Sequence, residues 1–285
     1  MPLSEMKIQS VILLAVVFLV FSRCNKKSEE PYSNVDIVMD NAQAALYFHT
    51  VFCEAESAWA FADINEYEEK TDTEGTDLNF KKLTYSHVSE TKDSVVIEYQ
   101  DWELTNHLSL TGKIIVTFDT ISYRIDSKTA SVLLSDFSIN RQTVVGEATI
   151  RYRKTSAKPN GQYVYNLLNG AHIREAGTSA MLISCVISNG EYERIEGNDT
   201  LDDVWAFSGV MSGTLHDDPN LKYTNTVSAT LSIDGKNIDV RTHYTMNCIT
   251  AYQGLAQIKI AKRPDIFYIY NCSKLEFEST THNIH

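Results

Sequence analysis

The sequence predicts a mainly β protein, an antiparallel β meander or sandwich carrying one N-terminal amphipathic helix. Three observations predict it. From residue 80 onward, short runs rich in Val, Ile, Thr and Tyr alternate with turn residues, as half-buried strands do. Residues 41–64, NAQAALYFHTVFCEAESAWAFADI, are the one stretch whose apolar residues recur at helical spacing. Ahead of both stands an unbroken run of eleven apolar residues, 11–21.

That run is too short for a hydrocarbon core, which takes about 20 residues, and has the length of a signal-peptide core, roughly 7–15. Met6-Lys7 supplies a compact basic start. The run ends on Phe21-Ser22-Arg23-Cys24, which resembles the bacterial lipobox, where a small residue precedes a cysteine that receives diacylglycerol and becomes the mature N-terminus. Ser22 fits that pattern and Arg23 departs from it. Residues 1–23 are therefore read as a lipoprotein signal peptide and Cys24 as the lipidated residue. The membrane is then a partner held through acyl chains, which exceed the two-signal requirement for stable anchoring. Ordinary secretion is the rival reading. Residues 24–39 follow as a polar tether. Its lysines and acids (NKKSEE) resemble the surface-export signal of Bacteroidota lipoproteins, which implies an outer-membrane location facing outward.

Charge narrows the partners. The whole chain carries −12, and the part from Cys24 onward −13, because Lys7 and Arg23 outweigh Glu5 in the leader. Nucleic acid is excluded, since phosphate binding needs a concentrated basic surface. Adsorption to anionic lipid is disfavoured for the same reason.

In the helical segment, Ala44, Phe48, Val51, Phe52, Ala55, Trp59 and Ala62 define the apolar face, and Asp40 reads as its N-cap, giving a helix over 40–65. His49 and Cys53 lie four apart and can share a face. Two ligands do not make a zinc site, so they read as an ordinary helix histidine and a buried structural cysteine. Residues 66–79 are acidic and aperiodic, hence an exposed linker, and they lack the EF-hand spacing that calcium requires.

The β body is expected over 80–279, with a short tail at 280–285. Strands are expected at 93–99, 111–118, 130–137, 143–152, 181–188, 204–211, 226–233, 238–245 and 254–260. Asp234-Gly235, inside LSIDGKNIDV, predicts a two-residue hairpin, because glycine tolerates the positive φ of a type I′ turn. Asn160-Gly161 and Asn169-Gly170 are further turn marks. Residues 95–104 and 266–277 echo one another as an apolar strand closing on an aromatic residue and a polar turn.

Taken in order, DNAQAALYFHTVF, GKIIVTF, SVLLSDFSINRQTVVGEATIRYR, GVMSGTL and CITAYQGLAQIKIAKRPDIFYIYNC resemble a group of uncharacterised Bacteroidota cell-envelope lipoproteins. The resemblance covers most of residues 40–275, and Tyr270-Asn271 replaces the glycine and aspartate that often precede the last cysteine. It implies an envelope compartment and a helix followed by a β body, and it brings no activity.

Besides Cys24 the chain has Cys53, Cys185, Cys248 and Cys272, which allow three pairings. Cys248 and Cys272 bracket one strand unit and are the favoured disulfide. Cys185 with Cys248 competes, and Cys53 is expected to stay free and buried. Asp93-Ser94-Val95, Asp119-Thr120-Ile121 and Asp199-Thr200-Leu201 resemble the Bacteroidota O-glycosylation sequon, which marks Ser94, Thr120 and Thr200.

Catalytic and cofactor patterns are absent from the sequence: no G-x-S-x-G, no H-E-x-x-H, no phosphate-cradling glycine loop and no C-x-x-C. No cofactor and no metal is expected. His216-Asp217-Asp218 is the nearest titratable cluster, and with Pro219-Asn220 it reads as a polar turn. A glycosidase's two carboxylates leave no sequence spacing to find. The reading that follows is an envelope lipoprotein acting as a binding or structural β module. The alternatives are a glycan-binding accessory protein of a polysaccharide uptake system, or a hydrolase acting on glycans. A glycan or protein ligand could stack on Trp102, Tyr123 and Trp205 if these stand exposed; cross-strand packing is the competing use of such rings.

Overall fold

A computed structural model describes residues 33–65, 68–104, 108–195, 204–216, 218–232, 236–239, 244–247, 251–261, 263–271, 274–277 and 280–283. The leader, Cys24, Thr200, Asp217, the Asp234-Gly235 turn, Cys248 and Cys272 lie outside the described residues.

Two compact units are distinguished, Met1–Ile37 and Val38–His285. The described part of the first is the opening turn of the helix α1, Asn34–Ile64. Ser33 caps it. Asp36 N–H donates to Ser33 Oγ at 3.2 Å, and Ser33 N–H donates back to Asp36 Oδ2 at 3.2 Å, a reciprocal capping box. The helix therefore begins six residues before the expected start, and Asp40 lies inside it instead of at its cap. What was read as the end of a tether is helix.

The second unit is all antiparallel sheet around the rest of α1. Its strands are β1 Lys70–Thr76, β2 Asn79–Ser89, β3 Lys92–Glu103, β4 Ser109–Asp119, β5 Thr129–Ile139, β6 Gln142–Val145 and β7 Glu147–Thr155. Then come β8 Lys158–Leu167, β9 His172–Arg174, β10 Met181–Ser184, β11 Val186–Ile195, β12 Val204–Leu215 and β13 Asp218–Ser232. The last are β14 Lys236–Asp239, β15 Tyr244–Asn247, β16 Ala251–Ile260, β17 Ile266–Asn271, β18 Lys274–Phe277 and β19 Thr280–Asn283.

Seventeen of them form one antiparallel sheet, and the protein is mainly β with a single helix near its N-terminus among the described residues. Sequential neighbours pair from β1 to β5, and β5 pairs onward with both β6 and β7. Two lanes then run side by side, one through β7, β8 and β11, the other through β6, β9 and β10, and both rejoin at β12. From β12 the ladder continues through β13, β16, β17, β18 and β19.

The split explains two strand readings that needed correction. Residues 143–152 were expected as one strand, but the chain breaks at Gly146, where a Cβ would come within 2.9 Å of the Ala171 side chain. Residues 181–188 likewise divide at Cys185 into β10 and β11. Asn160-Gly161 is no turn, since both residues lie within β8. Asn169-Gly170 does turn, after β8. Residues 238–245 were expected as one strand but straddle β14 and β15, which pair with each other as a separate hairpin; the expected partner of β14 was β13. The acidic linker is in part β1, whose side chains are exposed along its whole length. It gives no apolar period because neither face meets the core. Its register sets Glu74 opposite Lys81 on β2, a charged and polar edge of the kind that discourages edge-to-edge pairing. The tail is also partly ordered, as β19.

The core lies between α1 and the strands. Val95, Val116 and Val132 stand in register across β3, β4 and β5, all buried. Gly112 lets this sheet bulge: its φ is +100°, and a Cβ there would meet the Asp136 carbonyl oxygen at 2.1 Å. Around Phe52, Tyr192 stacks at 3.8 Å between ring centroids while Trp205, Tyr165 and Tyr163 pack edge-on at 5.2, 5.7 and 5.9 Å.

Candidate functional site

The helix expected to be amphipathic has no solvent face. Between Val38 and Ala62 only Ser57 is exposed, and Asn41, His49, Thr50, Glu54 and Glu56 are buried with the apolar residues. Residues 54 and 56 point roughly 200° apart on a helix, so no single apolar stripe could spare both. Buried carboxylates must find donors or shift toward the neutral form. The polar groups that result are the candidate functional groups of the molecule.

Glu54 faces β2 and β3. Lys81 Nζ lies 2.8 Å from its Oε2, the Tyr99 hydroxyl donates a short hydrogen bond to the same oxygen, and the ammonium sits 6.0 Å from the Tyr99 ring centroid. Glu56 faces the other way. Its Oε1 accepts from Tyr123 at 2.6 Å and Tyr163 at 2.8 Å, while Arg124 Nε donates to the Tyr163 hydroxyl at 3.3 Å. Burial first, and then the adjacent Glu56 charge, hold both phenols in their protonated form well above the usual tyrosine range. Trp59 completes this end, donating to the buried Ser122 hydroxyl at 3.0 Å.

A third group lies on the hairpin of β2 and β3. Asp93 is fully buried; it accepts from Tyr85 at 2.8 Å and holds His87 Nδ1 at 2.8 Å, with the imidazole side chain 48% exposed. A buried carboxylate orienting an imidazole is a component of general-base and metal sites. Among the described residues, no group of three His, Cys, Asp or Glu side chains is placed to hold a metal ion.

The fourth group is at the other end of α1. Asp40 Oδ2 lies 3.3 Å from His216 Nε2 in the turn after β12, yet that oxygen receives no hydrogen bond of good geometry. Burial and, secondarily, Glu175 push the Asp40 carboxyl up to about 7. Of His216-Asp217-Asp218, His216 turns after β12 and reaches back to the helix, and Asp218 opens β13.

His49 and Cys53 do share a face, with His49 Nε2 3.4 Å from Cys53 Sγ. Neither Cys185 nor Cys53 forms a disulfide among the described residues. Burial pushes the Cys185 thiol up to about 12. The proposed alternative of Cys185 in a disulfide with Cys248 has no counterpart among the described residues, and Cys53 is half-buried.

The aromatic platform does not form. Trp205 is 2% exposed and packs on Phe52, and Tyr123 is held against Glu56 and Trp59, while Trp102 is half-buried on β3. Trp205 faces the core because alternate residues of a strand alternate faces and it falls on the inner one. Two glycosylation marks fail on access: Ser94 is buried on β3, and the Thr120 hydroxyl oxygen is buried. On the outer face, Ile115, Leu133 and Leu168 with Thr117, Ser131 and Thr149 line a shallow groove of about 240 Å³.

The buried carboxylates were invisible to motif reading because their partners come from 27 to 107 residues away, as with Lys81 and Tyr163. The signal that could have found them is an acid on each side of an otherwise apolar helix. No family model matches the chain, and no curated protein or solved structure is similar to it.

Proposed function

We propose that this chain is an outer-membrane lipoprotein, cut before Cys24 and anchored there by acyl chains, whose β body serves as a binding or structural module through its outer surface. The observation that carries the second half of the proposal is the use of the inner face. A β module that binds a small ligand on its core-facing side keeps a pocket open there. Here α1 fills that side, and Glu54, Glu56 and Trp59 are committed to holding it. The outer face, with the groove beside Leu133 and Leu168, is what such a module has left to offer a partner. The first half rests on the apolar run ending at Cys24 and on the resemblance to Bacteroidota lipoproteins.

Metabolic labelling with a radioactive fatty acid tests the anchor. Wild-type protein is expected to take up label and Cys24→Ala none, with the variant released from the membrane fraction. Equal label in the two proteins overturns it.

A further inference from the structure

We propose that Asp40 and His216 form a pH-sensitive latch that ties the N-terminal part of α1 within the β body to the turn between β12 and β13. The pair is asymmetric in a way that suits this role. Asp40 is only 13% exposed and His216 35%, so the carboxylate is dry while the imidazole keeps contact with water. His216 sits in a left-handed conformation, φ 49°, and its own N–H donates to the Leu182 carbonyl at 2.9 Å, so the turn is held by the backbone in the orientation that aims Nε2 at the helix.

The other titratable groups facing Asp40 give the carboxylate no cation. Glu175, in the turn between β9 and β10, opposes its ionisation, and Tyr223 on β13 is a buried phenol whose proton is donated to the Ser184 carbonyl at 2.9 Å. The protonated Asp40 carboxyl is neutral and can donate a hydrogen bond to the ring across the 3.3 Å gap, an arrangement that a dry site tolerates. Once that proton leaves, a dry carboxylate stands beside Glu175. The latch then opens to let water reach Asp40. Burial raises the carboxyl to about 7, which places the transition near neutral pH.

Backbone hydrogen exchange of the full chain, read at the His216 amide and corrected for intrinsic exchange, tests the latch. From pH 6 to pH 8 the opening equilibrium of the wild type is expected to rise roughly tenfold, because a carboxyl raised to about 7 gives a tenfold rise up to that pH and the curve then levels off. Asp40→Asn is expected to stay flat. His216→Gln is expected to raise the opening equilibrium at both pH values, because the contact across 3.3 Å is lost, and to keep the tenfold rise, because burial and Glu175 hold the Asp40 carboxyl up without the ring. A flat wild type, a tenfold rise retained in Asp40→Asn, or a His216→Gln profile identical to wild type overturns the proposal.

Discussion

Glu54 and Glu56 in the C-terminal half of α1 each accept two hydrogen bonds or ion-pair contacts within 2.8 Å, whereas Asp40, about four turns earlier, has one imidazole at 3.3 Å and a carboxylate across from it. All three are acids on the same buried helix. The difference lies in what the sheet presents to them. Strands β2, β3 and β8, and the loop before β5, supply a lysine and three tyrosine hydroxyls at one end. A turn supplies a titratable ring at the other. The lesson is that burial alone does not decide an acid's state; the count and permanence of its donors do. One end of the helix is fixed by several donors, and the other is conditional on a single titratable ring.

The largest effect is expected where the fixed end is broken outright. Trp59→Ala removes a fully buried indole from between Phe118 and Tyr123 and leaves the Ser122 hydroxyl without its donor. A loss of about 3–5 kcal/mol in unfolding free energy is expected from urea titration. A loss under 1 kcal/mol would show that the helix is not the centre of this core.

Asp40→Asn tests the conditional end. The folded carboxyl is raised from 3.8 to about 7, so between those values the folded state holds a proton that the unfolded chain has released. Stability therefore falls as pH climbs from about 4 and reaches its full cost once pH passes about 7. Asparagine removes that cost. At pH 8 the variant is expected to exceed wild type by up to roughly 4 kcal/mol, the value of a three-unit shift, and at pH 4 to match it. A gain of the same size at both pH values would mean that asparagine acts through packing and not through charge.

Lys81→Met asks how much the fixed end depends on its one cation. The substitution keeps the aliphatic stem but leaves Glu54 with Tyr99 alone. Stripping a fully buried pair costs about 3–5 kcal/mol, and because Lys81 keeps 18% exposure roughly 2–3 kcal/mol is expected here. Urea titration checks it, and a loss under about 1 kcal/mol would show that the Tyr99 hydroxyl is enough to hold Glu54 in place.

The contrast also marks what was legible beforehand. Strand-forming residues at β3, β4, β5, β12 and β16 could be read directly, because alternation is a local property of half-buried strands. So could the one helix, though not its start: Ser33 and Asp36 form the cap, while Asp40 has the right chemistry in the wrong place. The enclosure of α1 could not be read, since it depends on strands arriving from many positions along the chain. Edge strand β1 was missed because both its faces meet water, and the hairpin joining β5 to β6 because its two left-handed residues, Asn140 and Arg141, include no glycine. The aromatic platform failed for a related reason. For Trp205 and Tyr123 a surface platform stood against packing as the use of the rings, and the helix they pack against is the element whose enclosure the sequence did not disclose.

The smallest effect is the control that gives the others meaning. Lys113 and Glu98 stand opposite each other on β4 and β3, 3.2 Å apart, with side chains 45% and 38% exposed. Their chemistry is that of Lys81 and Glu54, and their distance is similar. Water screens them, however, and both side chains lose rotamer freedom to meet, so such pairs contribute about 0.2–1 kcal/mol. Lys113→Ala is expected to fall within that range, and the loss should shrink further in high salt, because exposed charges are screened over a Debye length of about 3 Å at 1 M. Lys81→Met should keep most of its cost in the same salt. If the two losses prove equal, or fall together as salt is added, then the Glu54 site is wetter than its burial implies and the fixed end of the helix is held by packing around Trp59 and Phe52 instead of by its lysine.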